Sequence, residues 1–529
     1  SSTMRQLHIL IVLFFPFCNS LKFLAYSPKF GSSHVQFMGK ISDVLVEAGH
    51  EVVMISPQMD TLIKGAGTKK ARVIEIPQAP GAQVFEEFVN NKMVKNIWRE
   101  SSMFKMMDGA EVIMEANIAQ CNATLYHPGI VELLRKEKFD VGYTESIDFC
   151  SMGLFHLAGI DKYAITESLA MVDGNFFYSQ IPSNPAYVPS FTSGFAGENM
   201  TFLERTANLL ITVMTGMSKE SFLDQWQKVF RAYQPDFPSL KELTVRNSLV
   251  FMNSDPLVDF PRPSAARIID IGGIAVSDGA KKLDTTWSGI MDLRPQTVLI
   301  SFGTFAKAHL MLDEYKKSIV ETAKKFPEVT FIWKYEIPEH KLSEGVDNLV
   351  ETTWMPQSDI LDDPRLSAFV SHGGQASVTE SYYAGVPLIV IPICFDQLRN
   401  AAQVLRNGVG LVVEKTNLVN SEKLEGAIRE ILTNTKYGSN ARKIQKMLKD
   451  RPFSMSEIFV RNMEFLAKHG PLRQLDHYGR HLNVFQYYLI DVIAFITVTA
   501  LTGLIILLIL IRTCLRCIIG SFTSKTKLE

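Results

Sequence analysis

The segment Phe369-Val-Ser-His-Gly-Gly-Gln-Ala-Ser-Val-Thr-Glu380 carries the clearest chemistry in the chain. It reads as a strand that runs into paired glycines and then a helix. Glycines let a diphosphate approach the backbone, and free amides at a helix N-terminus complement its negative charge. Taken alone, the pattern is an ordinary β–α turn and could equally serve a dinucleotide. The full GxGxxG fingerprint is absent, which counts against a nicotinamide cofactor. A second chemical residue is His34 in Gly31-Ser-Ser-His34, at the opening of a helix. By itself, a histidine there serves as readily at a cap or on the surface.

Two α/β halves must position these groups. In the first, Leu21 to Tyr26 reads as a buried strand. From His34 to Ala48 the spacing of Val35, Met38, Ile41 and Leu45 is helical, and Gly49 stops it. Glu51 to Ser56 is a second strand, so the opening is the unit of a doubly wound sheet. Phe85 to Asn117 reads as helical and mixed in polarity, either an acceptor lid or, by default, surface helices. Gly129 to Lys138 is helical, and a strand follows near Val141. The Pro-rich Phe260-Pro-Arg-Pro263, leading to Ile271-Gly-Gly273, marks an inter-domain linker. Beyond it, Thr297 to Phe302, Thr330 to Lys334, Ala368 to Ser371, Pro387 to Ile391 and Gly410 to Val413 read as strands alternating with helices. That alternation predicts a parallel sheet.

Size and ends agree with several domains and a secretory route. A chain of 529 residues is too long for one core. A formal net charge of −1 gives no electrostatic case for nucleic acid. Six cysteines do not make a disulfide scaffold at this length. Arg5, the apolar run Leu7 to Phe17 and the small residues up to Ser20 have the layout of a signal peptide. Val492 to Ile511 is uncharged, apolar and long enough to span a bilayer. Arg512, Arg516, Lys525 and Lys527 follow, which puts the tail in the cytosol and the body on the other side. The sequons Asn122-Ala-Thr124 and Asn199-Met-Thr201 agree with lumenal exposure. Cys514 and Cys517 lack a second pair, which argues against zinc.

Trp354-Met-Pro-Gln357, His372-Gly-Gly374, Glu380 and Pro392-Ile-Cys-Phe-Asp396-Gln397 together resemble the UDP-glycosyltransferase signature. Met200-Thr-Phe-Leu-Glu-Arg205, Asn253-Ser-Asp with Ile271-Gly-Gly273, Ser301-Phe-Gly-Thr304 and the C-terminal anchor resemble the animal UDP-glucuronosyltransferases over nearly the whole chain. The resemblance implies that Trp354 stacks on uracil and that Gln357 bonds the nucleoside. His372, with the amides at Gly374 and Ser377, would hold the diphosphate, and Ser301 and Thr304 would add hydroxyl donors. Glu380 would accept from the ribose hydroxyls, while Asp396 and Gln397 would read the transferred sugar. Many members carry Asn or Gly where Ala376 stands, so contacts there would differ.

The resemblance also makes His34 the catalytic base. A helix N-terminus disfavours a protonated imidazole, which would keep the ring neutral near pH 7. The family's orienting Asp is matched by Glu145, one methylene longer, after Phe139-Asp140-Val-Gly-Tyr-Thr144; Asp148 is the fallback. No metal-binding DxD motif is apparent in the donor segment. The UDP-sugar is a co-substrate, so neither cofactor nor metal is expected.

The expected fold class is α/β of the GT-B type, two Rossmann-like doubly wound domains facing a cleft plus one C-terminal transmembrane helix. Boundaries fall at 1–20 for the signal peptide, 21–259 for the acceptor domain and 260–455 for the UDP-sugar domain. Residues 456–491 form helices and a juxtamembrane segment, 492–511 the membrane helix and 512–529 the tail. The implied activity is inverting transfer of a hexosyl group, glucuronate before glucose, to a hydroxyl of a small lipophilic acceptor. A silent binding protein of the same fold is the alternative from another class. Partners are the UDP-sugar, the acceptor and the membrane; a homo-oligomer is admitted but not required. Lys525-Thr-Lys527-Leu-Glu529 resembles a dilysine signal for the endoplasmic reticulum.

Overall fold

The computed structural model describes residues 20–99, 109–170, 184–190, 193, 197–246, 248–276 and 281–525. The expected signal peptide and the last residues of the expected retrieval signal lie outside the described residues. Two parallel sheets organise residues 20–473. The first comprises β1 (Lys22–Tyr26), β2 (Glu51–Pro57), β3 (Arg72–Ile76), β4 (Val141–Thr144), β5 (Tyr163–Glu167), β6 (Leu249–Met252) and β7 (Ile268–Asp270). Their order is β3-β2-β1-β4-β5-β6-β7. The second comprises β8 (Gln296–Ser301), β9 (Val329–Lys334), β10 (Leu349–Thr352), β11 (Leu366–Ser371), β12 (Leu388–Val390) and β13 (Gly410–Val412), in the order β10-β9-β8-β11-β12-β13. Every strand pairing is parallel.

The local reasons are plain in the central strands. β1 and β8 are apolar on both faces and buried on both, as strands must be when helices cover the sheet twice. Helix Ser32–Glu47 turns Val35, Met38, Ile41 and Leu45 inward, and Gly49 reverses the chain at φ +94. Helix Phe202–Tyr233 starts on a capping box between Thr201 and Glu204. The reading of Met200 to Arg205 had family likeness alone behind it; the box supplies its physical reason.

The halves are cross-braced, which the sequence did not suggest. The expected linker at 260–273 carries β7, so the first sheet extends into it. Helix Met455–His469 packs back on the first half: Phe459 meets Phe251 at 4.8 Å between ring centroids, and Lys162 Nζ donates to the Ala467 carbonyl at 2.6 Å. Arg399 and Asp259 form an ion pair at 2.7 Å with side chains 2% and 4% exposed. The stretch expected as a lid or surface helices does something else in its described part. Trp98 is fully buried in the core of the second half, 5.2 Å from Phe302, and its indole N–H donates to the Lys307 carbonyl at 3.0 Å. A disulfide joins Cys121 to Cys150, linking helix Ala110–Leu125 to helix Cys150–Leu157.

Residues 474–529 form a separate unit. Helix Ile490–Lys525 contains a span, Ile490–Ile519, long and apolar enough to cross a membrane, with mean hydropathy 2.8. It is wider at both ends than the expected Val492–Ile511.

Trp98→Ala should remove a brace between the halves and cost about 3–5 kcal/mol. Thermal unfolding of the detergent-solubilised protein, followed by intrinsic fluorescence, should show a lower midpoint than wild type.

Candidate active site

Open parallel sheets bind ligands beyond the carboxyl ends of their strands, at the point where strand order reverses. In the first sheet that point lies between β1 and β4, in the second between β8 and β11. His34 follows β1 and Glu145 follows β4; Ser301 ends β8 and His372 follows β11. Sheet topology thus puts the strongest sequence candidates at both switch points.

His34 stands in the first turn of its helix. Its Nδ1 lies 3.0 and 3.1 Å from the two Glu145 carboxylate oxygens and 2.8 Å from Ser168 Oγ. The Phe30 ring packs against the imidazole at 4.6 Å. Glu145 also accepts the Ser168 backbone N–H at 3.1 Å. With Nδ1 engaged by the carboxylate, Nε2 is left as the proton acceptor. Burial pulls the His34 pKa down, but the charge and hydrogen bond of Glu145, helped by Asp396 and Glu167, raise it above the ordinary value. The helix-terminus argument therefore gave the wrong sign, because three carboxylates outweigh a fraction of a dipole charge. Burial raises Glu145, yet His34 and Ser168 win and hold it below the usual carboxylate value. The fallback, Asp148, is committed elsewhere: it accepts from the Cys150 amide at 2.7 Å and faces the Tyr26 hydroxyl at 3.3 Å. Burial pushes it up to about 6.

The donor turn explains its own glycines. Gly373 has φ +84, and a Cβ there would stand 2.5 Å from Val390 Cγ1. A Cβ on Gly374 or on Gly303 would strike the His372 ring, at 2.5 and 2.8 Å. The imidazole is thus clamped between two glycine backbones. Burial pushes its pKa down to about 4, so the ring is neutral. Its Nδ1 is buried and makes no hydrogen bond of ordinary geometry among the described residues. A hydrogen bond with the Ser301 backbone works against the fall in pKa, and the amides opening the donor helix beside the ring fit an anionic oxygen. Lys334, at the end of β9, donates to the Gly303 carbonyl at 2.9 Å and acts electrostatically on His372. The sequence reading missed it, although its place at a strand's carboxyl end was a usable signal.

The remaining candidates divide. Gln357 Nε2 donates to Glu380 at 2.6 Å, and Ser358 Oγ donates to the other carboxylate oxygen at 2.8 Å. Ser377 Oγ lies 3.4 Å from Gln357. Trp354 is 68% exposed, an indole face open to solvent. Ser301 is buried and Thr304 exposed. Asp396 accepts from Asn400 Nδ2 at 2.8 Å and from the Gln375 amide, and it feels His34 of the other half. Burial raises its pKa to about 6. Gln397 is partly spent on its own loop, since its Oε1 accepts the Ile393 and Cys394 amides at 2.9 and 3.0 Å. Ala376, exposed on the first turn of the donor helix, offers no polar side chain.

The family model described as "UDP-glucoronosyl and UDP-glucosyl transferase" matches residues 24–527. The chain belongs to this family. A Caenorhabditis elegans protein assigned by name as UDP-glucuronosyltransferase ugt-48 is 29% identical over 505 residues, 93% of this chain and 94% of that one. UDP-glucuronosyltransferase 3A1 of Xenopus laevis is 26% identical, with 88% of each chain covered. Among solved structures, the glycotransferase of kitacinnamycin superposes with a TM-score of 0.57 at 16% identity, covering 85% of this chain and 98% of its own. That likeness shows the GT-B fold, and the two parallel sheets are its two Rossmann-like domains. The protein is therefore a glycosyltransferase of the UDP-glucuronosyltransferase family, using a UDP-sugar and an acceptor.

Glu145→Gln removes the largest of the charges that raise His34 and leaves burial, the largest cause of all, opposed only by the weaker Asp396 and Glu167. The His34 titration, followed by NMR of histidine-labelled protein with His34→Ala for assignment, should move from above about 6.5 to below it.

Proposed function

We propose that the protein transfers glucuronate, with inversion, from UDP-glucuronate to a hydroxyl of a small lipophilic acceptor. The observation that carries the mechanism is the His34–Glu145 pair at 3.0 Å, with Asp396 of the second half near enough to shift the His34 pKa. The acceptor oxygen gives its proton to His34 Nε2 as it bonds to the anomeric carbon. The bond from that carbon to the UDP oxygen breaks on the opposite face, and UDP leaves. Glu145 stabilises the imidazolium that forms. The diphosphate is held by His372, the amides at Gly374 and Ser377 and the hydroxyls of Ser301 and Thr304, with Lys334 behind them. Uracil stacks on Trp354, Gln357 meets the nucleoside and Glu380 the ribose. Asp396 reads sugar hydroxyls, and Gln397 Nε2 joins it by exchanging its donation to Cys394 Sγ, 3.6 Å away, for the sugar. Glu145, although longer than the family's Asp, reaches the imidazole, which argues against a silent binding protein.

The choice of glucuronate rests on the names of the relatives, and the family description includes glucosyl transfer as well. The compartment proposed is the endoplasmic reticulum membrane, crossed once, with the body lumenal and a short cytosolic tail. Support comes from Arg512 and Arg516 late in the apolar helix, from the exposed Asn122 and Asn199 of the sequons, and from the Cys121–Cys150 disulfide, which belongs in an oxidising space. Such transfer makes lipophilic compounds water-soluble, in keeping with detoxification.

His34→Ala should lower turnover by about 10²–10⁴-fold while UDP binding, measured by calorimetry, stays near wild type. Wild-type turnover in a variant that binds UDP would end the base assignment. Incubation of microsomal protein with one phenol and either UDP-glucuronate or UDP-glucose should give the higher kcat/KM with the first; preference for the second would replace the donor and leave the mechanism.

A further inference from the structure

The base and the sugar-reading carboxylate lie on opposite halves, and a buried chain of hydrogen bonds runs between them. It starts at His34 Nδ1, 3.0 Å from Glu145. Glu145 accepts the Ser168 N–H at 3.1 Å. The Ser168 carbonyl accepts from Asn253 Nδ2 at 2.8 Å, and the Asn253 carbonyl accepts from Gln375 Nε2 at 2.9 Å. Gln375 then gives its backbone N–H to Asp396. Ser168, Asn253 and Gln375 are 5%, 6% and 9% exposed, so water is a poor substitute at any link. Gln375 is the first residue of the donor helix Gln375–Ala384 and directly follows the clamped Gly374. Ser168 and Asn253 follow the carboxyl ends of β5 and β6.

We propose that Gln375 is a positioning residue: its carboxamide, through Asn253 and Ser168, sets the donor helix in register with the His34–Glu145 pair. It acts at a distance from the reacting atoms. Its side chain fixes where the second half stands against the first, and its backbone fixes Asp396. Displacing two reacting groups by about 1 Å can cost about 10²-fold in rate. The tie therefore governs turnover more than donor affinity, because the diphosphate contacts sit within the second half and move as one. The inference rests on His34 as the base.

The test uses the full-length protein, with Gln375→Met, Asn253→Ala and the double variant assayed beside His34→Ala. Each single change should lower kcat by about tenfold or more and leave the UDP dissociation constant within about twofold. Both break the same chain, so the double variant should be no slower than the slower single one. Unchanged kcat in the singles, multiplied losses in the double, or UDP affinity falling in step with kcat would overturn the proposal. Should Gln375→Met fail to fold, Gln375→Asn keeps the amide one methylene short and should give an intermediate loss of kcat with UDP affinity kept; full turnover there would overturn the proposal equally. An inactive His34→Ala beside an unaffected Gln375→Met would reject this inference alone, whereas an active His34→Ala would reject the base.

Discussion

Glu145 carries a charge in a place from which most water has been removed. A carboxylate there is costly unless donors meet it. Here an imidazole and a backbone amide meet it, and they lie beyond the ends of two different strands of one sheet, β1 and β5. The rest of the active site depends on that arrangement. It holds the imidazole by Nδ1 and leaves Nε2 outside the pair. It also sets the proton affinity of the ring, since the same charge that orients His34 makes it a stronger base. Orientation and basicity are thus one interaction, and neither can be tuned without the other.

His372 is governed by the opposite logic. Its ring is gripped by glycine backbones with no carboxylate to raise it, and burial keeps it uncharged. The two histidines are driven apart by surroundings alone: His34 toward holding a proton, His372 toward staying neutral. Parallel topology makes this economical, because every strand end opens on the same edge and a residue just past it is already in place.

The donor segment was legible because its elements are contiguous: the strand, the paired glycines and the helix fall within 366–384. The long buried strands and the helix after β1 were legible for the same reason, through local periodicity. β10 was not, since Leu349–Thr352 is only partly buried and lacks the apolar run of its neighbours. β5 and β6 escaped because they pair across some eighty residues of chain, and β7 because three half-buried residues beyond a Pro-rich segment carry no local strand pattern. Ser168, Asn253 and Gln375 are ordinary polar residues until strand register puts them in line. The sign of the His34 shift needed carboxylates from three separate elements. Trp98 reads as one more apolar residue on a helix; only the packed structure reveals that it belongs to the other half's core. The Cys121–Cys150 bridge was hidden because spacing among six cysteines does not choose a pairing.

The return of helix Met455–His469 to the first half, together with β7 beyond the Pro-rich segment, changes what counts as a module. The unit built on the first sheet is not a single stretch of chain. It begins at β1, runs past Asp270 and includes a late helix encoded after the whole donor half. A cut at the Pro-rich segment therefore does not release the first sheet intact, because β7 and the helix that packs on Phe251 both lie on its far side.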